Sequence, residues 1–337
     1  MHRNRSQAKF LFSDNGIAAK SSATGDRRVV VKEKMQIYLE LARRGKNEAW
    51  RSLLAVFSML FAWQVLGAIP SALLLVWMAL HGQLSSSNSG TNLPGMDTLA
   101  GFVALMLASV FFLGGIALSI RFIHRRPLRT LVTPARSLAW GRLFQGFGVW
   151  LGLVALMSLV EALVYPGRYV WSLNMSRFLP FLFLALVFIP VQTSAEELLF
   201  RGYVLQQVGL HWKNIWVLSA ISGLLFGLPH LLNPEASVNY PLLGLYYFAF
   251  GFSLAFITLR DGRLELALGA HAANNLFSVI IANYTITVLP SPSIFTINGL
   301  DAVYSVPAAV LGMAIFIFLF IGPWRRKEGI EVGLSSN

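Results

Sequence analysis

The stretch Ala195–Gly202 reads AEELLFRG and follows the long apolar run FLPFLFLALVFIPVQTS. Two adjacent carboxylates and an arginine therefore arrive where a bilayer-crossing helix avoids charge. One ionisable side chain near the bilayer centre costs at least about 2.5–3.5 kcal/mol on insertion scales. Glu197 and Arg201 are four residues apart, so on a helix they share a face, and pairing lowers the cost of burying either. Glu196 is turned about 100° from Glu197 around the axis and is left free to face a cavity. Farther along, FGLPH carries His230 four residues after Phe226. LGAHAANN carries His271, Asn274 and Asn275, with His271 and Asn275 four apart on one helical face. Polar groups in apolar helices need partners. The simplest arrangement gathers Glu196, His230, His271 and Asn275 around one wet pocket.

These residue types define a narrow chemistry. The chain has no cysteine, and no serine or lysine stands out as an activated nucleophile. Buried carboxylates serve as general bases near neutral pH, so Glu196 is expected to deprotonate a water that His230 holds or whose proton it shares. His271 and Asn275 supply N–H donors from one face, as stabilisation of an oxyanion requires. The sum is hydrolysis of an amide without a covalent intermediate. The same residues allow a second reading. Two histidines and a glutamate, here Glu196, His230 and His271, are a catalytic zinc set with an open water position, although the usual HExxH helix is absent.

The elements that must position these groups are membrane helices. The chain is 337 residues long, 55% hydrophobic and 12% charged, against about 25% charged in soluble domains. Its mean hydropathy is +0.61. An ordinary soluble globule is excluded, and the fold class is all-α, a polytopic helical membrane protein of about eight transmembrane helices. The expected spans are 53–80, 98–120, 143–164, 178–205, 215–232, 242–259, 264–284 and 303–322. With the fifth span starting near Ile215, His230 falls toward the outer side and His271 toward the inner side, so tilting or shifted boundaries must bring them to one depth.

Loop charges set the topology. HGQLSSSNSGTNLPGMD has no Lys or Arg, whereas the next loop holds Arg121, Arg125, Arg126, Arg129, Arg136 and Arg142. NPEASVNYP and TITVLPSPSIFTINGLD are free of Lys and Arg, and RDGR and WRRKEG are basic. The positive-inside rule then places both termini in the cytoplasm, in a plasma or inner membrane. The net charge of +12 is accounted for by such loops, and no nucleic-acid partner is expected. Residues 1–34 read as a basic, disordered tail. Residues 35–51 read as an amphipathic helix, with Met35, Tyr38, Leu39 and Leu41 near one side, lying on the membrane surface. Residues 52–177 hold the N-terminal spans, 178–284 the core that carries the chemistry, 285–323 the last loop and span, and 324–337 a cytoplasmic tail. Glu161, in LMSLVEALVY, is an isolated acid expected to snorkel to the interface.

At the reactive residues the sequence resembles a family. EELLFRG, FGLPH and HAANN look like the EExxxR, FxxxH and HxxxN motifs of the CPBP intramembrane proteases, the group of CAAX endopeptidases and bacteriocin-processing or immunity proteins. The resemblance covers about residues 178–284. It implies that Glu196 and His230 activate water and that His271 and Asn275 form the oxyanion pocket, with Glu197, Arg201, Phe226 and Asn274 in support. It favours metal-free catalysis, with no cofactor, over zinc. The implied substrates are peptides or membrane-anchored proteins presented in the lipid bilayer. Two readings of other classes stand beside it: a non-catalytic scaffold or immunity protein, and a transporter using Glu196 and the histidines as a proton relay.

Overall fold

The computed structural model describes residues 27–82 and 99–322. Its first helix, α1 (Arg27–Glu40), ends in a 3₁₀ turn at Leu41–Arg44. Then α2 (Ala49–Phe61) runs through a π-helical turn at Ala62–Leu66 toward α3 (Ile69–Leu80). Next come α4 (Leu99–Leu118), α5 (Trp140–Val164), the strand β1 (Tyr169–Trp171) and α6 (Met175–Glu197). A seven-residue π turn, Leu198–Val204, joins α6 to α7 (Leu205–Val208). The chain continues through α8 (Ile215–His230), α9 (Tyr240–Asp261) and α10 (Glu265–Leu276), then β2 (Ala282–Tyr284), β3 (Phe295–Ile297) and α11 (Ala302–Ile321).

Local chemistry sets several of these starts. The Asn174 side chain accepts the Arg177 N–H ahead of α6. Asn214 does so for Trp216 and Val217 at α8, Asn239 for Leu242 at α9, and Asp301 for Val303 and Tyr304 at α11. Each bond satisfies an otherwise orphaned N–H of a first turn. Helix α9 stops at Gly262, whose φ of +75° is left-handed and suits glycine.

All eight apolar segments expected from the sequence carry helices, and the protein is a polytopic helical membrane protein. Six are long and apolar enough to cross: Ala49–Leu80, Leu99–Ile123, Trp140–Val164, Met175–Val208, Tyr240–Asp261 and Ala302–Ile321. The fifth and seventh are shorter than expected. Helix α8 has 16 residues, about 24 Å at 1.5 Å per residue, below the ~30 Å of a hydrocarbon core. Helix α10 has 12 residues and ends in a π turn at Phe277–Ile281. These two short helices are the ones that bear His230 and His271.

Helix α10 packs on α5 and α6, and α8 packs on α9, which also meets α11 and α1. Glycines permit the closest approach. A Cβ at Gly269 would lie 2.0 Å from the Leu143 carbonyl oxygen, and one at Gly146 would lie 2.4 Å from that of Leu266. Only hydrogen at these positions lets α5 and α10 touch backbone to backbone. Helix α10 begins inside the protein. Leu264 and Glu265 are fully buried. The Leu264 N–H donates to the Val132 carbonyl at 2.8 Å, and the Ala139 N–H donates to the Glu265 carboxylate at 3.1 Å.

Two sequence expectations are corrected and one feature is added to them. The stretch 35–51 is not one surface helix. Helix α1 starts at Arg27, within the stretch read as a tail, and helical structure stops at Arg44 before α2 begins. Its apolar side is not spread on lipid. Met35 and Leu39 are buried with Leu205, Leu218, Ala255 and Leu259, and the Tyr38 hydroxyl donates to the carbonyls of Leu131 and Arg201 at 2.6 and 3.0 Å. Burying this face against helix ends removes more apolar surface from water than a solvated lead-in would. Secondly, a small sheet of order β1-β3-β2 accompanies the helices. In it β1 runs antiparallel to β3, with Tyr169 opposite Ile297, and β2 runs parallel to β3, with Tyr284 opposite Ile297. Thirdly, Glu161 does not snorkel. It is buried and paired, its carboxylate 2.8 Å from Arg168 Nη1 and accepting the Tyr169 hydroxyl at 2.8 Å. The tails at 1–26 and 324–337 lie outside the described residues.

Candidate active site

Glu197 is the last residue of α6 and Arg201 sits in the following π turn, both fully buried. Arg201 Nη1 donates to Glu197 Oε1 at 2.7 Å, the pair expected from their spacing. Arg201 Nη2 donates to the Gly251 carbonyl at 3.4 Å, and the guanidinium lies 4.4 Å from the Phe226 ring centroid. Two charges enter the interior as one compensated unit, the form in which burial is tolerable.

The same Glu197 oxygen has a second task that the spacing did not reveal. His271 Nδ1 lies 2.7 Å from Glu197 Oε1. Because a carboxylate can only accept, Nδ1 carries the proton and donates it. The His271 ring is wedged between Phe226 and Phe250, at centroid distances of 5.7 and 5.3 Å. Its Nε2 points away from Glu197 and stands 3.7 Å from Glu196 Oε2.

Glu196 differs from its neighbour. Its side chain is 13% exposed and faces a cavity of about 440 Å³. Oε1 accepts from Gln192 Nε2 at 2.5 Å, whereas Oε2 has no hydrogen-bond partner. A relay of amides stands behind it. Asn275 Nδ2 donates to Gln192 Oε1 at 3.1 Å, Asn274 Nδ2 to Asn275 Oδ1 at 3.1 Å, and Trp150 Nε1 to Asn274 Oδ1 at 3.2 Å. Each amide is thereby held in one orientation and Glu196 is fixed at the end of the chain. Sequence reading missed Gln192 and Trp150. Gln192 is four residues before Glu196, a visible same-face spacing, but a neutral amide gives no charge signal.

His230 closes the other side. Its Nδ1 is 2.7 Å from the Phe226 carbonyl oxygen, and a carbonyl only accepts, so Nδ1 bears hydrogen and Nε2 is left for the cavity. The ring rests against Phe226 at 4.3 Å and Tyr247 at 5.0 Å. Glu196, His230, His271, Asn274 and Asn275 all line the one cavity, with Gln192 and Phe226. The structure thus brings together every residue singled out in the three motifs, with Glu197 and Arg201 behind the wall. Among the described residues no three His, Asp or Glu side chains are grouped to hold a metal ion.

A helical membrane protein with carboxylate, imidazole and amide groups converging on a cavity inside its bundle is built like an intramembrane hydrolase. Comparison with known proteins makes the class specific. Residues 175–277 match the model of a family described as type II CAAX prenyl endopeptidase Rce1-like. Over 290 residues the chain is 34% identical to the uncharacterized protein YyaK of Bacillus subtilis (strain 168), a match that takes in 84% of this chain and 94% of that protein. No solved structure matches it. The chain belongs to the Rce1-like family of CAAX-type intramembrane proteases.

Proposed function

We propose that the protein is an endopeptidase in which Glu196 makes a water nucleophilic. The observation that carries this is the Glu196 carboxylate in the lining of the cavity that also receives His230, its Oε1 tethered by Gln192 and its Oε2 without a partner. A water seated between Oε2 and His230 Nε2 gives its proton to Glu196 as its oxygen attacks the scissile carbonyl. His230 accepts that water's other hydrogen and aims its lone pair. The carbonyl oxygen becomes an oxyanion. Asn275 Nδ2, with one hydrogen committed to Gln192, offers it the second. His271 donates from Nε2 only as an imidazolium, because its Nδ1 hydrogen is already given to Glu197. Two carboxylates face this ring, at 2.7 and 3.7 Å. Collapse of the tetrahedral intermediate breaks the C–N bond, and Glu196 returns the proton to the leaving amine. General base catalysis and preorganised donors supply the acceleration.

The substrates are peptides or membrane-anchored proteins. The family description names prenyl endopeptidases, so a prenylated C-terminal peptide is the first to test. The 124–139 loop, which carries Arg125, Arg126, Arg129 and Arg136, meets α1 at one end of the bundle, where the Tyr38 hydroxyl donates to the Leu131 carbonyl. We place this end, and both termini, on the cytoplasmic side of a plasma or inner membrane. In the alternative chemistry Glu196, His230 and His271 would ligate zinc, a role for which these side chains are not grouped in the structure.

The test is peptide release by purified protein from membrane-tethered and prenylated reporters, with and without a zinc chelator. Glu196→Gln is expected to lower the rate by about 10²–10⁴-fold in a protein that still purifies folded, and the chelator to leave wild type unchanged. Chelator inhibition reversed by added zinc would move these residues to ligand roles. Equal cleavage by both proteins would remove Glu196 from catalysis.

A further inference from the structure

The cavity extends well past the reactive groups. It continues between α5, α9 and α11 to the small sheet, where Glu161 and Glu235 join its lining. None of its lining residues is Lys or Arg, and three are Glu: Glu161, Glu196 and Glu235. Glu161 is answered from behind the wall by Arg168 at 2.8 Å. Glu235 is not answered by any cation among the described residues. Its partners are neutral: the Val288 N–H at 2.9 Å, the Tyr247 hydroxyl at 3.3 Å and the Asn233 amide at 3.4 Å. Glu235 lies between two spans, in the 3₁₀ turn Pro234–Val238, and burial holds its carboxyl above its ordinary value. Glu235 is half-buried, and a carboxylate partly withdrawn from water without a counter-charge favours a cation that arrives.

Its place relative to the chemistry is defined. The Tyr247 ring packs at a tilt against His230 at 5.0 Å, and its hydroxyl reaches Glu235. One tyrosine length therefore separates the histidine from the acid. Tyr246 packs edge-on to Tyr247 at 5.4 Å and lines the same cavity, so two tyrosines flank the route. An extended peptide advances about 3.3 Å per residue. A side chain within roughly two residues of the scissile bond can span the gap.

We propose that this end of the cavity is a subsite for a lysine or arginine side chain of the substrate, with Glu235 as its counter-ion and Tyr247 and Tyr246 as its walls. The subsite rests on the peptidase reading of the reactive groups. It makes the enzyme selective for a peptide with a basic residue near the cleaved bond, and apolar elsewhere to suit the rest of the cavity.

The test uses the full-length protein in detergent and apolar peptides blocked at both ends. Each peptide carries a single lysine, or glutamine in its place, moved along the sequence. Binding is measured first, to the Glu196→Gln protein, so that hydrolysis does not intervene. The lysine peptide is expected to bind on the order of tenfold tighter than its glutamine partner at one position. That ratio is expected to fall to about one when Glu235→Gln is added. Equal binding of both peptides at every position, or a ratio untouched by Glu235→Gln, overturns the subsite. The ratio of kcat/KM for the two peptides in wild type, with and without Glu235→Gln, repeats the comparison in turnover. Discrimination in binding with no cleavage by wild type would keep the subsite and remove the peptidase reading. Cleavage with no discrimination would do the reverse.

Discussion

The two ends of the cavity hold acids in opposite ways. At the reactive end Glu197 meets a cation and a donor, taking Arg201 and His271 on one oxygen at 2.7 Å each, while its other oxygen has no partner. At the far end Glu235 has neutral donors only. The first arrangement is closed and makes a fixed scaffold. The second is incomplete in charge and suits a partner that comes and goes. Glu196 lies between them, with one oxygen tethered and one without a partner. A hydrolase needs both conditions. Its reacting groups must be immobilised before the substrate arrives, and its recognition surface must be left wanting what the substrate brings.

Breaking the closed end has the largest expected effect. Glu197→Ala leaves Arg201 buried without a counter-charge and His271 without its orienting acceptor. A loss of about 3–5 kcal/mol is expected for such a break, read as a lowered unfolding midpoint in detergent. An unchanged midpoint would show that the pair is not a structural unit. Next comes Asn275→Ala, which removes one oxyanion donor and frees Gln192. Hydrolysis is expected to fall by about 10²–10³-fold with KM little changed, and a change confined to KM would contradict the donor role. Trp150→Phe keeps the ring and deletes the N–H that holds Asn274. A stability cost of about 1 kcal/mol and a few-fold drop in kcat are expected, and an unaltered kcat would cut the relay at that point.

The open end gives the smallest effect, with an informative sign. Burial raises the Glu235 carboxyl in the folded protein. Any stability it confers is therefore complete below the unfolded value, about 4.3, and declines as pH rises through the folded value. Glu235→Gln is expected to raise the unfolding midpoint slightly at neutral pH. The difference should close as the pH is lowered toward that of a free glutamate. A variant less stable than wild type at neutral pH would make the carboxylate a net clasp on the Val288 backbone.

What the sequence disclosed follows the range of the interactions. The Glu197–Arg201 pair and the His271–Asn275 face are four-residue spacings within one helical turn, and the eight helical segments are runs of apolar residues. Such signals are local. The Glu161–Arg168 pair was not readable. Helix α5 ends at Val164, and the turn beyond it folds Arg168 back onto a residue seven positions earlier. Nor was the depth of α10, set by the 124–139 loop bonding to Leu264 and Glu265. The three-residue strands are too short to show alternation. The face of α1 was legible as amphipathic, but an apolar stripe has the same pattern whether lipid or protein covers it. Gln192 and Tyr247 were silent because neutral groups carry no warning of burial.

The most direct measurement follows a single turnover in oxygen-18 water, with enzyme in excess over a cleaved reporter. If Glu196 acts as a base, the water itself attacks. The new carboxyl group then carries the heavy isotope in the first turnover, and the Glu196 carboxylate carries none. If Glu196 attacks the carbonyl itself, the first product takes an ordinary oxygen from the enzyme and the label is found on Glu196. That second result would contradict water activation by Glu196 whatever the rates of the variants.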